Sequence, residues 1–269
     1  MNIITNIAVM IALLFTSCSS AMGANRIKKL KGDNNIVEQR VDLDLSNVRR
    51  IEASRAVDVT IVEANREEIV VRGNSNIMEY LDIRVNGTTL VATIDSRVNS
   101  LSNIDVELMI PYNGRYNSFK VSSSSEIEST ETLRMESLKL NGSSAGEISL
   151  IAIVDGSCSI DASSAAEISL IAKIVGSCSV EASSASDVEL TLSVDELSVD
   201  ASSSSKVEAE GDCKRLEASA SSSAKIDAGA LEAKGGRLNA SSLGAIIYRD
   251  MGGFSVSTSS AGSIKSVNN

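Results

Sequence analysis

The sequence predicts an all-β fold, a single-domain right-handed parallel β-helix (β-solenoid) with about 20 residues per rung. Three observations predict this fold. Apolar and polar residues alternate with a period of two, a serine-rich turn returns at nearly constant intervals, and β-branched residues dominate the apolar positions. Such alternation is typical of strands, and β-branched side chains suit a pleated, half-buried surface.

The serine-rich turn recurs eight times from residue 117 onward, and its first serines are spaced by 21, 20, 20, 19, 19, 20 and 18 residues. These serines are Ser122, Ser143, Ser163, Ser183, Ser202, Ser221, Ser241 and Ser259. Ile or Val stands five residues after each of them, and an apolar residue stands three residues before. We expect both columns to face the interior and the serines to be small corner residues whose hydroxyls bond one another or the turn backbone.

Stacking follows from this spacing. A chain that coils once per repeat places equivalent residues over one another, and neighbouring strands then pair in parallel at roughly 4.8 Å. A single rung cannot bury its own apolar face, so we expect both ends of the stack to need caps.

Residues 40–115 have the same strand chemistry with looser spacing. The candidate strands are Arg50–Glu52, Val57–Val62, Glu68–Arg72, Leu81–Val85, Thr89–Ile94 and Ile104–Ile110. We expect them to be the first rungs of the same solenoid, with longer excursions between them. Because no Pro-rich or acidic linker divides the chain, a single domain is expected over residues 39–269.

The first 24 residues are typical of a signal peptide, with the apolar run Ile7–Phe15 too short to span a bilayer. Phe15-Thr16-Ser17-Cys18 resembles a bacterial lipobox, which predicts lipidation of Cys18 and a lipoprotein of the outer membrane or cell surface. Cleavage after Ala21-Met22-Gly23 is the alternative and predicts a secreted or periplasmic protein. Residues 25–38, which include the basic tract Arg26–Lys31, are expected to form a tether. Membrane contact is expected only through the lipid anchor.

Composition excludes several functions. The chain has no His, so Ser-His-Asp and Cys-His catalysis and imidazole metal sites are absent. A formal charge of -10 and only 3% aromatic residues provide neither the basic stripe nor the stacking platforms of nucleic-acid binding, so no nucleic-acid partner is expected.

Two acidic columns are expected on the outside of the stack. Glu126, Glu147, Glu167 and Asp187 occupy one repeat position, which Lys206 and Lys225 continue. Asp161, Glu181 and Asp200 occupy a second position. Like charges about 5 Å apart repel by roughly 1 kcal/mol per pair in water, so something must offset the repulsion. Splayed side chains, screening and the nearby lysines are one explanation; a Ca²⁺ ion held by the first column is the other.

The cysteines point to packing rather than to cofactor chemistry. Cys158 and Cys178 stand at equivalent inward positions of adjacent rungs. Side chains that point the same way in register suit a disulfide poorly, so we expect free thiols that fill the column. Cys213 has no partner in the pattern, and four cysteines without a CxxC spacing argue against a metal cluster.

One known family matches the order of these elements. Its resemblance rests on Gly32-Asp33-Asn34-Asn35, Val48–Val62, Glu68–Gly73, Leu81–Val85, Thr89–Val91 and Ile104–Pro111. Together these segments resemble the head GIN domain, also called the putative auto-transporter adhesin family, which is found in exported proteins of Bacteroidetes-type bacteria. The resemblance covers about residues 32–266, although the family usually has Gly-Ser-Gly where this chain has serine-rich turns. It implies a parallel β-helix on the cell envelope with an adhesive role, and the family has no established catalytic residues to carry over.

The resulting hypothesis is a non-enzymatic envelope solenoid that contacts a glycan or protein ligand through its repeated outer faces, with no cofactor unless Ca²⁺ binds. The alternative is a polysaccharide hydrolase or lyase that uses outward carboxylates such as Asp161, Glu181 and Asp200. A purely structural envelope protein without a ligand is a third possibility.

Overall fold

The computed structural model describes residues 29–63 and 68–267, so the expected signal peptide and Cys18 lie outside the described residues. Within these ranges the chain is all-β, with one short 3₁₀ turn at Met78–Tyr80. No helix in the described part is long and apolar enough to cross a membrane.

Strands follow one another along the whole described chain. They are β1 (Leu30–Lys31), β2 (Ile36–Val41), β3 (Arg50–Ser54), β4 (Asp58–Val62), β5 (Ile69–Asn74), β6 (Leu81–Asn86), β7 (Thr89–Ile94), β8 (Leu101–Ser102), β9 (Val106–Pro111), β10 (Ser118–Ser122), β11 (Glu126–Gly142), β12 (Glu147–Ala162), β13 (Glu167–Ile174), β14 (Ser177–Ala182), β15 (Asp187–Ala201), β16 (Lys206–Ala220), β17 (Lys225–Ala233), β18 (Gly236–Ala240), β19 (Ala245–Arg249), β20 (Phe254–Thr258) and β21 (Ser263–Val267).

The repeats form the predicted parallel stack. Four rungs are single long strands, β11, β12, β15 and β16, and the others are split at a corner between two serine-rich turns. All pairings from β10 to β21 are parallel, and they hold the repeat in register: Ile148 pairs with Ile127 on one side and with Ile168 on the other. The parallel β-solenoid prediction is confirmed.

Both predicted interior columns are buried in seven of the eight repeats. The last repeat differs, because Val256 and Ile264 stand in the same columns and are exposed and half-buried, respectively. Within the described residues, the interior columns are therefore buried in seven repeats and partly exposed in the last one.

The serine-rich turns place two consecutive residues in the left-handed region. In the turn that begins at Ser163, Ser164 has φ 53° and Ala165 has φ 60°, and the Ala166 N–H donates to the Ser163 carbonyl at 3.1 Å. Left-handed backbone costs an L-residue about 1–2 kcal/mol. The turn geometry is held from the neighbouring rung, because the Ala165 N–H donates to the Ser184 carbonyl at 3.0 Å.

Serine hydroxyls also bond the backbone of the preceding rung, as expected for small corner residues. The Ser186 hydroxyl donates to the Ala162 carbonyl at 3.1 Å, and the Ser205 hydroxyl donates to the Ala182 carbonyl at 2.9 Å. Both serines are buried, so these bonds satisfy groups that water does not reach.

The N-terminal region is only partly a set of solenoid rungs. As predicted, β3 and β4 stack in parallel under β10 and β11, and β7 and β9 stack under β3 and β4. In contrast, β5 runs antiparallel to β9 and β2, and β6 runs antiparallel to β7, so the prediction of rungs throughout residues 40–115 is wrong for β5 and β6. Gly87, at φ 60°, makes a tight turn that reverses the chain between β6 and β7.

The folded part begins earlier than residue 39, where we expected a tether to end. Leu30 pairs with Leu101, and β2 starts at Ile36. Between them the Asp33 carboxylate accepts hydrogen bonds from the Ser75 N–H at 3.2 Å and the Ser75 hydroxyl at 2.8 Å. Residues 30–38 are thus bound to the N-terminal end of the solenoid.

Candidate functional site

The first acidic column forms as predicted. Glu126 pairs with Glu147, Glu147 with Glu167, and Glu167 with Asp187. The column continues into Lys206 and Lys225, also as predicted. These side chains face outward beside the buried Ile/Val column, so the stack carries a row of carboxylates spaced by one strand.

Two more carboxylates extend this row at its N-terminal end, and sequence reasoning missed both. Asp58 pairs with Glu107, and its Oδ1 accepts a hydrogen bond from the Glu126 N–H at 2.9 Å. The sequence contained a signal for Asp58, because Ser54 begins a ninth turn of the repeat, with Val59 five residues later and Ile51 three residues earlier. Asp58 then occupies the position that Glu126 occupies after Ser122. Glu107 lies on a strand outside the repeat and carried no such signal.

Two of the acids in this row, Asp58 and Glu126, have a raised pKa. Burial raises the pKa of Asp58 despite the hydrogen bond from the Glu126 N–H, and the charge of Glu107 adds to the increase. Burial also raises the pKa of Glu126, followed by the charge of Glu147. The Thr60 hydroxyl lies 2.8 Å from Glu107 Oε1 and 3.1 Å from Glu128 Oε1, and it donates to one of them at a time.

At the other end of the row, lysine offsets the repulsion. Lys206 Nζ lies 2.7 Å from Glu208 Oε1 and 3.9 Å from Asp187 Oδ2. The hydrogen bond to Glu208 is the main reason that the pKa of Lys206 is raised. The calcium alternative for Glu126, Glu147, Glu167 and Asp187 stays a prediction without a site geometry, because residues 29–63 and 68–267 contain no group of three or more Cys, Asp or Glu able to hold a metal ion.

The second acidic column also forms, on the other half of each rung. Asp161 pairs with Glu181 and Glu181 with Asp200. The three carboxylates line a shallow groove of about 250 Å³ together with serines of the turns, including Ser183 and Ser202. None of the groove's described lining residues is aromatic, so it lacks the stacking surface that sugar subsites use.

A second groove, of about 520 Å³, was not predicted. It lies at the corner between the two strands of a rung, where two neighbouring rungs differ in length. Lys173 pairs with Ser193 before the corner, and Ser177 pairs with Glu196 after it. Three residues separate these positions in the earlier rung and two residues separate them in the later rung. The shorter corner recedes, which leaves the exposed Val175 on one side of the depression and Met251 on the other. The 19-residue spacing of this repeat was the available signal.

Charge is strongly segregated along the stack. Residues 118–201 contain 14 Asp+Glu against 4 Lys+Arg, whereas residues 202–269 contain 7 against 8. The excess of negative charge therefore belongs to the middle rungs, and the C-terminal third is close to neutral.

The three described cysteines are buried free thiols. Cys158 and Cys178 are in register on adjacent rungs, and a hydrogen bond to Cys178 followed by burial raises the pKa of Cys158. Burial raises the pKa of Cys213 to about 11. Such thiols are poor nucleophiles and poor metal ligands at neutral pH, which suits a packing role.

Comparison with known families decides the classification. A sequence model described as putative auto-transporter adhesin, head GIN domain, matches residues 47–175 and 158–269. The chain belongs to this family. Membership supports an adhesin-like role at the cell surface for this head GIN domain protein.

Three solved structures with the same fold come from Parabacteroides species. A putative lipid binding protein from Parabacteroides distasonis ATCC 8503 is 19% identical, with 89% of this chain and 100% of that chain covered and a TM-score of 0.64. A putative adhesin from the same organism is 15% identical, with 89% and 100% covered and a TM-score of 0.64. A putative adhesin from Parabacteroides merdae ATCC 43184 is 16% identical, with 89% and 99% covered and a TM-score of 0.59. No curated protein matches the chain.

Proposed function

We propose that this head GIN domain protein is a non-enzymatic adhesin of the cell envelope, anchored by a lipid on Cys18, whose repeated outer faces contact a glycan or protein ligand. The observation that carries the proposal is the register of the rungs, which turns single outward residues into continuous rows such as Glu126, Glu147, Glu167 and Asp187.

Rows of this kind suit binding by many weak contacts. Each exposed charge contributes little alone, because solvent and salt screen it. A ligand that repeats along its length meets the same side chain at every rung, and each further contact becomes intramolecular once the first has formed. A flat, repeated surface is therefore effective against a polymer or a large protein face.

Charge narrows which ligands fit the middle rungs. With 14 acidic against 4 basic residues, residues 118–201 repel polyanions and attract cationic surfaces. A neutral glycan or a protein with a basic face is compatible with these rows, whereas a sulfated or uronic-acid polymer is not.

The test is a binding screen of residues 25–269 against arrays of glycans and of cell-surface proteins. Glu126→Gln, Glu147→Gln, Glu167→Gln and Asp187→Asn together neutralise the first column; Asp161→Asn, Glu181→Gln and Asp200→Asn together neutralise the second. For a protein ligand with a basic face, we expect one of these variants to weaken binding at least about tenfold and added salt to weaken it further. The matched control is Glu79→Gln, Asp82→Asn and Asp250→Asn, which removes charge away from both columns and should leave binding unchanged.

Two results would overturn the proposal. One is the absence of binding on both arrays by a chain that circular dichroism shows to be folded. The other is release of reducing sugar from a pectin-like polysaccharide that the second-column variant abolishes, which would assign the enzymatic alternative instead.

A further inference from the structure

The C-terminal end of the solenoid leaves its apolar interior uncovered. Val256 belongs to the column in which Leu238 is 0% exposed, yet Val256 itself is 47% exposed. In the other column Ile246 is 1% exposed and Ile264 is half-buried. No strand of the described residues lies over this rung, so the residues that fill the core elsewhere form an apolar surface here.

Among the residues that the structure describes, both strands of this last rung have one unpaired edge. In the described part of the chain β20 pairs with β18 alone and β21 with β19 alone. Open edges invite pairing with another strand unless charges, proline or bulges protect them. β20 and β21 carry one charge, Lys265, and no proline.

The N-terminal end has the protection that the C-terminal end lacks. Its outer strands β2 and β6 carry charged side chains, among them Glu38, Arg40, Asp82 and Arg84. Pairing of this end with a neutral apolar strand would desolvate those charges. The C-terminal edge is thus the one that is suited to pairing.

The distribution of charge also favours the last rung as the place where a second copy of the chain can approach. Two copies of a chain with a formal charge of -10 repel each other, most strongly through residues 118–201. Residues 251–267 contain a single charged residue, Lys265. Two copies therefore approach with little electrostatic cost at this end and at considerable cost along the acidic rungs.

A two-fold axis perpendicular to the solenoid makes the two ends complementary. It reverses the direction in which the partner chain winds, so facing edge strands run antiparallel and can form a regular hydrogen-bonded ladder. The contact is isologous and closed, with the same surface on both copies. It covers Phe254, Val256 and Ile264 with equivalent residues of the second copy.

We propose that the C-terminal rung binds a second copy of this chain, end to end through β20 and β21. The inference rests on the proposed adhesive function and deepens it by naming one partner. Eleven successive strand pairings separate β2 from β21, which at roughly 4.8 Å each is about 53 Å. Leu30 lies at the far end, so two chains joined in this way direct their Cys18 anchors away from each other and connect two membranes.

The first experiment measures the mass of residues 25–269 by sedimentation equilibrium up to about 100 µM, above the µM dissociation constant that a small interface can reach. Wild type should be a dimer, and Val256→Lys and Ile264→Lys should be monomers. Val175→Lys is the matched control, because it places the same charge at an exposed aliphatic residue on the side of the stack, and it should remain a dimer. Ser257→Lys, at an exposed position of β20, places a charge on each of the two facing edges without touching the core, and it should also be monomeric.

Three outcomes of this experiment overturn the proposal. They are a wild-type monomer over the whole concentration range, a dimer that survives both Val256→Lys and Ser257→Lys in folded protein, and open-ended fibres instead of a closed dimer.

A bead assay tests the orientation of the copies. Beads that carry the chain through its N-terminus should clump with wild type and with Val175→Lys but not with Ser257→Lys. A soluble dimer without clumping would overturn the arrangement that connects two membranes. Screening Ser257→Lys and wild type on the glycan and protein arrays separates the two proposals. If monomeric Ser257→Lys still binds a ligand, the proposed function holds without the dimer. If wild type forms the dimer but binds no ligand, only the dimer proposal holds.

Discussion

The two ends of the solenoid differ in how far their apolar interior is covered. At the N-terminal end β2 and β6 run antiparallel to their neighbours, and Ile94, which pairs with Leu81 of β6, is fully buried. At the C-terminal end the last rung keeps the parallel repeat, and its core residue Val256 is 47% exposed. In the described residues, the end that departs from the parallel repeat buries its apolar side chains, whereas the end that keeps the repeat exposes them.

The N-terminal cap is built from an insertion. Only one rung, β3 with β4, precedes the long excursion, and β10 with β11 resumes directly on top of it. The first serines of the two turns, Ser54 and Ser122, are 68 residues apart in the chain, compared with 18 to 21 elsewhere. The excursion supplies β5 to β9, which close the underside of the stack.

Thiol accessibility should give the largest contrast between the two regions. Val256→Cys places a thiol at the open end, and Ala218→Cys places one in the same column in the middle of the stack, where the residue is buried. In dilute, monomeric protein, Val256→Cys should react with a thiol reagent at least about 100-fold faster than Ala218→Cys or the native cysteines, which react only when the stack opens. The reaction rates are measured from the absorbance of the thiolate that the reagent releases when it reacts with a protein thiol.

Equal rates at the two positions would show that the C-terminal end is covered in the monomer. Protection of Val256→Cys that grows with protein concentration would instead support end-to-end pairing.

Truncation of the core should give the next largest contrast. Ile168→Ala removes a buried side chain from the middle of a column and should lower the free energy of unfolding by about 2–5 kcal/mol. Ile264→Ala, in the same column at the open end, should cost less than about 1 kcal/mol because its side chain is already half in water. Urea unfolding of both variants in the Ser257→Lys background, which is expected to be monomeric, measures both. Similar costs for the two variants would contradict the comparison.

The same contrast explains what the sequence could predict. The repeat determined the stack, both interior columns and both acidic columns, because a constant spacing places like residues over one another. The cap was not predictable in this way, since β5 and β6 have the alternation of strands and nothing in alternation distinguishes parallel from antiparallel pairing. Glu107 was missed because its strand, β9, lies outside the repeat of serine-rich turns. The corner groove was missed because it depends on a single residue that is absent from one rung.

A smaller effect is expected at the turns, where the repeat should gain stability from glycine and the cap region should not. Ser164→Gly with Ala165→Gly relieves left-handed strain and should raise the free energy of unfolding by about 0.5–1 kcal/mol. Arg55→Gly changes the equivalent turn beside the cap, where the Arg55 guanidinium donates to the Val98 carbonyl. Loss of this bond to the cap should offset the relief, leaving the variant no more stable than wild type. Urea midpoints of the two variants check this.

If Ser164→Gly with Ala165→Gly destabilised the protein, the interactions of the serine and alanine side chains in the stacked turns would matter more than backbone strain. If Arg55→Gly stabilised it by the same amount as the repeat turn, the contact with Val98 would contribute nothing to the cap.

The smallest expected effect is a dependence on pH that arises where the cap region meets the acidic row. Burial raises the pKa of both Asp58 and Glu126, so the folded state binds more protons than the unfolded state between the two pKa values of each group. The free energy of unfolding therefore falls as the pH rises through this window and is greatest on its acid side. Lowering the pH from 7 to about 5 should raise the thermal midpoint slightly in wild type and leave it nearly constant in Asp58→Asn with Glu126→Gln.

Glu217→Gln is the control. Arg215 lowers the pKa of the Glu217 carboxyl, so the contribution of Glu217 to stability is lost only at lower pH. A midpoint that falls steadily over this range in wild type would show that the crowded carboxylates do not limit stability.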